Sequence, residues 1–232
     1  GIFIDLKKAF DSIDNNILIN KLNFYGITGP YNNLLKSYLD NRKIYTFINQ
    51  TKSDELPIKF GVPQGSVLGP LLFSLYINDI KELARNHEIN LFADDTSLFC
   101  IGKTNEELER KANLALKECS KWLNNNRLTI NINKTHYLNF SKSKDRQISL
   151  KINNIEIKEE IETKYLGVTI QNNLKWDSHI KKTIKSLNKQ IPLYYLLRNI
   201  IPKNKLSTIY KALSFSSINY AIELYGRKNS IW

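Results

Sequence analysis

The chain has 232 residues, 42% of them hydrophobic, and its 34 Lys and Arg against 22 Asp and Glu give a formal charge of +12. That much apolar side chain supports one large domain or two smaller ones. The nearest approach to a membrane span, VLGPLLFSLYI, is short and broken by Gly69 and Pro70, so no membrane partner is expected. GIFIDLKKAF acquires charge by its fifth residue and is no secretion signal. Two cysteines make neither a zinc cluster nor a disulfide framework. The expectation is an intracellular protein of the nucleus or cytoplasm, not secreted, with Cys100 and Cys119 as buried thiols. The chain lacks methionine and opens inside a β-branched apolar run, so it reads as a fragment of a longer protein.

GIFIDL predicts a strand. A helix follows, with Ser12 or Asp14 as N-cap, Ile17, Leu18 and Leu22 on one face, and Gly26 as the stop. GPYNNLLKSYLDN is a second helix with Pro30 in its first turn. KIYTFINQ and ELPIKF read as paired strands around a TKSD loop. Ser66 caps a third helix through VLGPLLFSLYINDIKELAR, apolar on most sides and so buried. INLFADDTSLFCI reads as strand, tight turn, strand, with Asp94 and Asp95 at the tip. Thr104 and Glu107 make a capping box for a long amphipathic helix through Trp122 and Leu123. LTINI and THYLNFS are strands flanking Lys134. ISLKI and IEIK form a hairpin about Asn153 and Asn154, which tolerate positive φ. TKYLGVTI is one more strand. From Asp177 the pattern is helical to the end, broken at Pro192 and Pro202. Composition shifts near Asn172 from mixed α/β to basic helices, and a domain boundary is expected there.

Two adjacent aspartates between hydrophobic runs need a reason, since neighbouring carboxylates repel and each is costly to desolvate. A polar turn is one answer. The other starts from Asp5, which ends the first apolar strand. If that strand neighbours the hairpin, three carboxylates converge at one sheet edge without a cationic neighbour in sequence. Such a cluster is stable with bound divalent cations, and hard oxygen donors suit Mg²⁺. Two ions about 4 Å apart would activate an attacking hydroxyl and stabilise a leaving pyrophosphate. The positive charge points to a polyanionic partner, nucleic acid first and an anionic membrane second. Lys181, Lys182, Lys185 and Lys189 lie in a span, Lys175 to Lys211, whose sole acid is Asp177. A stripe of this kind suits a phosphate backbone.

Five stretches occur in order: DLKKAFDSID, GVPQGSVLGPLLFSLYINDI, FADDTSLF, WLNNNRLTININKTHYLNFS and KYLGVTI. Together they resemble the palm motifs of a reverse transcriptase of the non-LTR retrotransposon kind, LINE-like, jockey or CR1-like. The alanine before Asp94 is similar to that of LINE and group II intron enzymes. The resemblance implies an α+β fold, with a polymerase palm (an antiparallel sheet packed on helices) over residues 1–171. A basic, helical, thumb-like segment would follow over 172–232. It implies RNA-directed DNA polymerase activity, adding dNMP from dNTPs to a DNA primer 3′-OH on an RNA template. The cofactor implied is a pair of Mg²⁺ ions, for which Mn²⁺ can substitute.

By position, Asp5, the Leu6 carbonyl, Asp94 and Asp95 would hold these metals. Phe10 matches the aromatic gate under the sugar. Gln64 and Gly65, in GVPQGS, match the loop near the incoming nucleotide and the template. Lys134 matches the lysine that protonates the pyrophosphate or holds its charge. Tyr165, Leu166 and Gly167 match the primer grip. The resemblance places the fingers upstream of Gly1, together with an endonuclease if there is one, so this piece alone is expected to extend primers poorly. Two alternatives stay open. One is a catalytically inactive nucleic-acid-binding relic, against which the intact aspartates, Phe10 and Gln64 argue. The other is a group II intron maturase-type enzyme, over which WLNNNRLTININKT favours the LINE-like kind.

Overall fold

The computed structural model of the protein describes residues 1–83, 87–141 and 148–226. The chain divides into two compact units. One holds Gly1–Tyr137 with Asp145–Glu159, the other Leu138–Lys144 with Glu160–Trp232. None of the described helices is long and apolar enough to cross a membrane.

In the first unit β1 (Ile2–Ile4) leads through a 3₁₀ turn (Ala9–Ser12) into α1 (Asn15–Phe24) and α2 (Gly29–Leu39). Asp14 is the cap of α1: its carboxylate accepts from the Asn16 and Ile17 amides, and it also pairs with Arg127 at 2.9 Å. Short strands β2 (Lys43–Ile44), β3 (Phe47–Ile48), β4 (Thr51–Lys52) and β5 (Leu56–Pro57) follow. They pair as β2 with β5 and β3 with β4, so the turn falls at Asn49 and Gln50 and Thr51–Lys52 is strand. Both turn residues have positive φ, 46° and 65°, and a tight two-residue turn displaces the longer TKSD loop expected from sequence.

Next come α3 (Leu68–Ile77), a 3₁₀ segment (Asn78–Leu83), β6 (Glu88–Phe92), β7 (Asp95–Phe99) and α4 (Asn105–Asn125). The third helix thus tightens at Asn78, short of its expected length, and its last expected residues, 84 and 85, lie outside those described. The unit closes with β8 (His136–Tyr137), β9 (Lys151–Ile152), β10 (Ile155–Glu156) and β11 (Lys158–Glu159). The β9–β10 hairpin turns at Asn153 and Asn154, both at positive φ, as expected.

The main sheet has the order β11-β8-β1-β7-β6. β1 is antiparallel to both neighbours, with Ile2 opposite Leu98 on one side and Tyr137 on the other. Ile2, Ile4 and Leu98 join the core that α1, α3 and α4 supply with Leu18, Leu22, Phe73, Tyr76, Leu116 and Cys119. Side chains alternate across a strand, so Phe3 and Ser97 face the other way. There Phe3 stacks on His136 at 5.7 Å. Buried on both faces, β1 reads as a continuous apolar run. Cys119 is fully buried and its thiol is pushed up to about 12 by burial, while Cys100 is half-buried.

LTINI makes only one bridge, Leu6 with Ile130, and is not a strand. Its backbone is used instead by the residues that leave β1: the Lys7 amide donates to Thr129 and the Asn131 amide to Asp5.

The second unit starts with β12 (Glu162–Tyr165) and β13 (Val168–Gln171), an antiparallel hairpin. TKYLGVTI is therefore not a single strand: Leu166 and Gly167, at φ 46° and 82°, fold it in two. Then come α5 (Asp177–Asn188), α6 (Ile191–Leu197), α7 (Lys203–Tyr210), a π-helical segment (211–215), α8 (Ser216–Asn219) and α9 (Ile222–Tyr225). Pro192 sits in the first turn of α6 and Pro202 caps α7, the two breaks expected. The helix expected beyond Gly226 falls on residues outside those described. His179 ties α5 to the hairpin, accepting from the Thr169 amide at 3.3 Å and packing on Tyr225. The division between units falls at Glu159, ahead of the composition shift near Asn172, because this hairpin folds with the helices.

Candidate active site

The aspartates are set by strand register. β6 and β7 pair from Glu88–Phe99 to Phe92–Asp95, which leaves Ala93 and Asp94 as the turn. Ala93 takes φ 51°, the left-handed region, which costs a residue with a Cβ about 1–2 kcal/mol. On the other side of β7, Ile4 stands opposite Thr96, so the next step along each strand brings Asp5 beside Asp95. The Asp95 carboxyl is pushed above its ordinary range by burial first, then by the charges of Asp94 and Asp5. Asp94 and Asp95 are both exposed residues, so the burial acting on the Asp95 carboxyl is partial.

Asp5 is held from the opposite side. Asn131 Nδ2 donates to its Oδ2 at 2.9 Å, the Asn131 amide donates to its carbonyl at 2.8 Å, and its own amide donates to Thr135 Oγ1 at 3.2 Å. Leu6 and Ile130 form the non-hydrogen-bonded pair of this bridge, so the Leu6 carbonyl points away from Ile130, towards the β7 side. Lys134 is exposed on the same 131–135 turn, its amide donating to the Asn131 carbonyl at 3.1 Å.

The GVPQGS loop is pinned to the 3₁₀ turn. Gly61 donates to Ile13 and Val62 to the Phe10 carbonyl. Gly61 has φ 86°, and a Cβ there would lie 2.8 Å from Asp11 Cα, so only glycine fits. Gln64 Nε2 donates to Asp11 Oδ1 at 2.8 Å. Gly65 supplies positive φ, 81°. Ser66 accepts from the Gly69 amide at 3.0 Å, the cap expected of it. Phe10 is half-buried against Phe73, ring centroids 4.7 Å apart.

The remaining candidates belong to the second unit. Tyr165, Leu166 and Gly167 form its hairpin tip, where Tyr220 Oη donates to the Leu166 carbonyl at 2.6 Å. Lys181, Lys182, Lys185 and Lys189 are exposed on or just past α5, but Lys182 is already paired with Glu162 at 2.7 Å.

Asn131, Thr135 and Asp11 escaped the sequence reading. Asn131 and Thr135 lie within the quoted NINKT stretch, yet an Asn before a turn is ordinary, and its partner is 126 positions away. Among the described residues no three Asp, Glu, His or Cys side chains stand as a preformed metal cage. The donors that neighbour one another are all carboxylate oxygens, without an ion-pair partner among the described residues. That set fits a hard divalent cation: the push on Asp95 comes first from burial, and such an ion relieves the part that comes from the charges of Asp94 and Asp5.

A five-stranded sheet on helices, antiparallel except for β11 beside β8, with paired aspartates at a hairpin tip beside a third just past the central strand, is a polymerase palm. The chain belongs to the reverse transcriptase (RNA-dependent DNA polymerase) family, whose model matches residues 1–170. It is 28% identical, over 97% of its length, to the probable RNA-directed DNA polymerase from transposon X-element of Drosophila melanogaster. It is likewise 28% identical, over 97% of its length, to the RNA-directed DNA polymerase from mobile element jockey of the same fly. The chain spans 26% of each of these relatives. Among solved structures it is similar to telomerase from Candida albicans in complex with a TWJ fragment of telomeric RNA. The TM-score is 0.54 at 12% identity, covering 100% of this chain and 42% of that one. This likeness concerns the fold alone. The jockey-like, non-LTR kind expected from the five motifs is the kind these relatives represent.

Proposed function

We propose that this chain is the palm and the start of the thumb of a retrotransposon RNA-directed DNA polymerase. It would add dNMP units from dNTPs to a DNA primer on an RNA template. The observation that carries this reading is the register that sets Asp5 beside Asp95, with the Asp95 carboxyl raised by burial and, after it, by its neighbours' charge. Asp5, the Leu6 carbonyl, Asp94 and Asp95 are the groups that would hold divalent cations, Mg²⁺ or Mn²⁺. When bound, the cations supply charge neutralisation at the primer 3′-hydroxyl and the departing pyrophosphate.

The protein's part is positioning and electrostatics. Phe10, braced by Phe73, would lie under the sugar and exclude a 2′-OH by bulk. Gln64 and Gly65, steadied by Asp11, would line the nucleotide and template side. Lys134 would give its proton to the pyrophosphate or hold its charge. Tyr165, Leu166 and Gly167 would seat the primer, while Lys181, Lys182, Lys185 and Lys189 would follow the phosphate backbone without reading sequence. Residues 1–171 would be palm, its last hairpin (β12–β13) folding with the helices of the second unit, and 172–232 thumb, with fingers supplied upstream.

The test is primer extension on an RNA template by the chain carried in its longer polyprotein. Asp5→Asn and Asp94→Asn should each slow extension by about a thousandfold, matching the loss of several kcal/mol of charge stabilisation. Phe10→Val should raise ribonucleotide use relative to deoxyribonucleotide use. Undiminished extension by both aspartate variants would refute the reading.

A further inference from the structure

Asp5 is the first residue past β1, and the terminal torsion of a carboxylate is broad and poorly self-defined. Beside it stands Asp95, whose charge repels it. Left alone, the Asp5 carboxylate would turn away from its neighbour. The turn from Asn131 to Thr135 prevents this by holding residue 5 at three atoms: Nδ2 of Asn131 on Oδ2, the Asn131 amide on the carbonyl, and Thr135 Oγ1 under the amide. The turn is itself closed, since the Asn131 carbonyl accepts from the Lys134 amide, the Thr135 amide and Thr135 Oγ1, at 3.1, 2.9 and 3.0 Å.

We propose that Asn131 is a positioning residue that aims the Asp5 carboxylate at a divalent cation, with Thr135 fixing the backbone beneath it. The inference rests on the reading of Asp5 as a metal ligand. The chemistry favours an amide for this task. A Lys or Arg at 131 would neutralise Asp5 and compete with the cation, whereas a neutral donor occupies Oδ2 and leaves both the charge and Oδ1 available. Outer partners of this kind orient metal-binding side chains, and their loss typically weakens metal affinity about 10- to 100-fold. Lys134 rides on the same turn, so the group proposed to serve the pyrophosphate and the group proposed to hold metal are fixed by one local structure.

The experiment titrates the full chain with Mn²⁺ and follows free Mn²⁺ by electron paramagnetic resonance, alongside a thermal melt. Asp5→Asn defines the site's share of the binding. Asn131→Ala and Thr135→Val should each weaken that share at least about tenfold, and Thr135→Ser should retain it. Asn113→Ala is the structural control. Asn113 likewise makes two hydrogen bonds where α4 meets β9, donating to the Ser149 carbonyl and accepting from the Lys151 amide. Its replacement should lower the melting temperature and leave Mn²⁺ affinity intact. If Asn131→Ala does not fold, Asn131→Ser, which keeps turn preference but cannot reach Oδ2, is judged by the same criterion. Wild-type affinity in a folded Asn131 variant, or a loss no larger than that of Asn113→Ala, overturns the proposal while leaving Asp5 as a ligand. Mn²⁺ binding that is indifferent to Asp5→Asn overturns both.

Discussion

At Asp95, burial and the charges of Asp94 and Asp5 all act against the ionised form. A carboxyl raised in the folded state contributes stability at low pH that is lost as pH rises through its folded pKa. Replacing Asp95 with Asn should therefore raise the melting temperature at pH 7 while abolishing extension, the trade expected where a site stores repulsion. The gain should shrink as pH falls into the carboxylate range, and adding Mg²⁺ should narrow it by stabilising the wild type alone. A thermal-shift series over pH and Mg²⁺ checks this, and a lower melting temperature for Asp95→Asn at pH 7 would contradict it. Asp5, Asp94 and Asp95 were legible from sequence because acids at the ends of apolar strands are conspicuous. Asn131 was not, because its meaning lies in a partner that only the fold brings near.

Elements with a strong local signal were readable to their ends: α1 from Asp14 to Gly26, α4 from its Thr104 cap, and the Asn153–Asn154 hairpin. Two other hairpins were not, since their two-residue turns, Asn49–Gln50 and Leu166–Gly167, look unremarkable inside longer β-rich runs. The second of these turns is tight in two senses. Gly167 has φ 82°, and a Cβ would come within 2.9 Å of the Tyr220 ring. Gly167→Ala should cost about 1–3 kcal/mol, read from chemical denaturation. His179 gives the same unit a pH response. Its pKa is lowered by burial first and by Lys182 second, and its Nδ1 must be unprotonated to accept from the Thr169 amide. The stability it supplies is present above its unfolded pKa, about 6.5, and lost as pH falls through the lower folded value. Melts at pH 5 and 7.5 should differ, and His179→Asn should reduce the difference.

Across the whole molecule, the proposed function and the +12 charge together predict a nucleic-acid affinity that depends steeply on salt. Substituting Lys181, Lys185 and Lys189 together with Gln should flatten the slope of log affinity against log salt by about 2 to 3, at roughly 0.7–0.9 for each phosphate no longer neutralised. Lys182→Gln should change it least, because Lys182 must first leave Glu162. A slope unmoved by the triple substitution would place the phosphate-binding groups elsewhere. The sheet order has a different consequence. β1, among the first residues of the chain, occupies the middle of the sheet, with Ile2 opposite both Leu98 and Tyr137. At ribosomal speed the strand waits on the order of ten seconds for its second neighbour. Until then its apolar residues are exposed to chaperones and to other nascent chains. Ribosome-bound chains arrested before Tyr137 should be digested readily by protease, and those with Glu159 free of the ribosome should resist. A premature stop anywhere in that interval would release an unfinished sheet whose central strand lacks a partner, a species for the degradation machinery to clear.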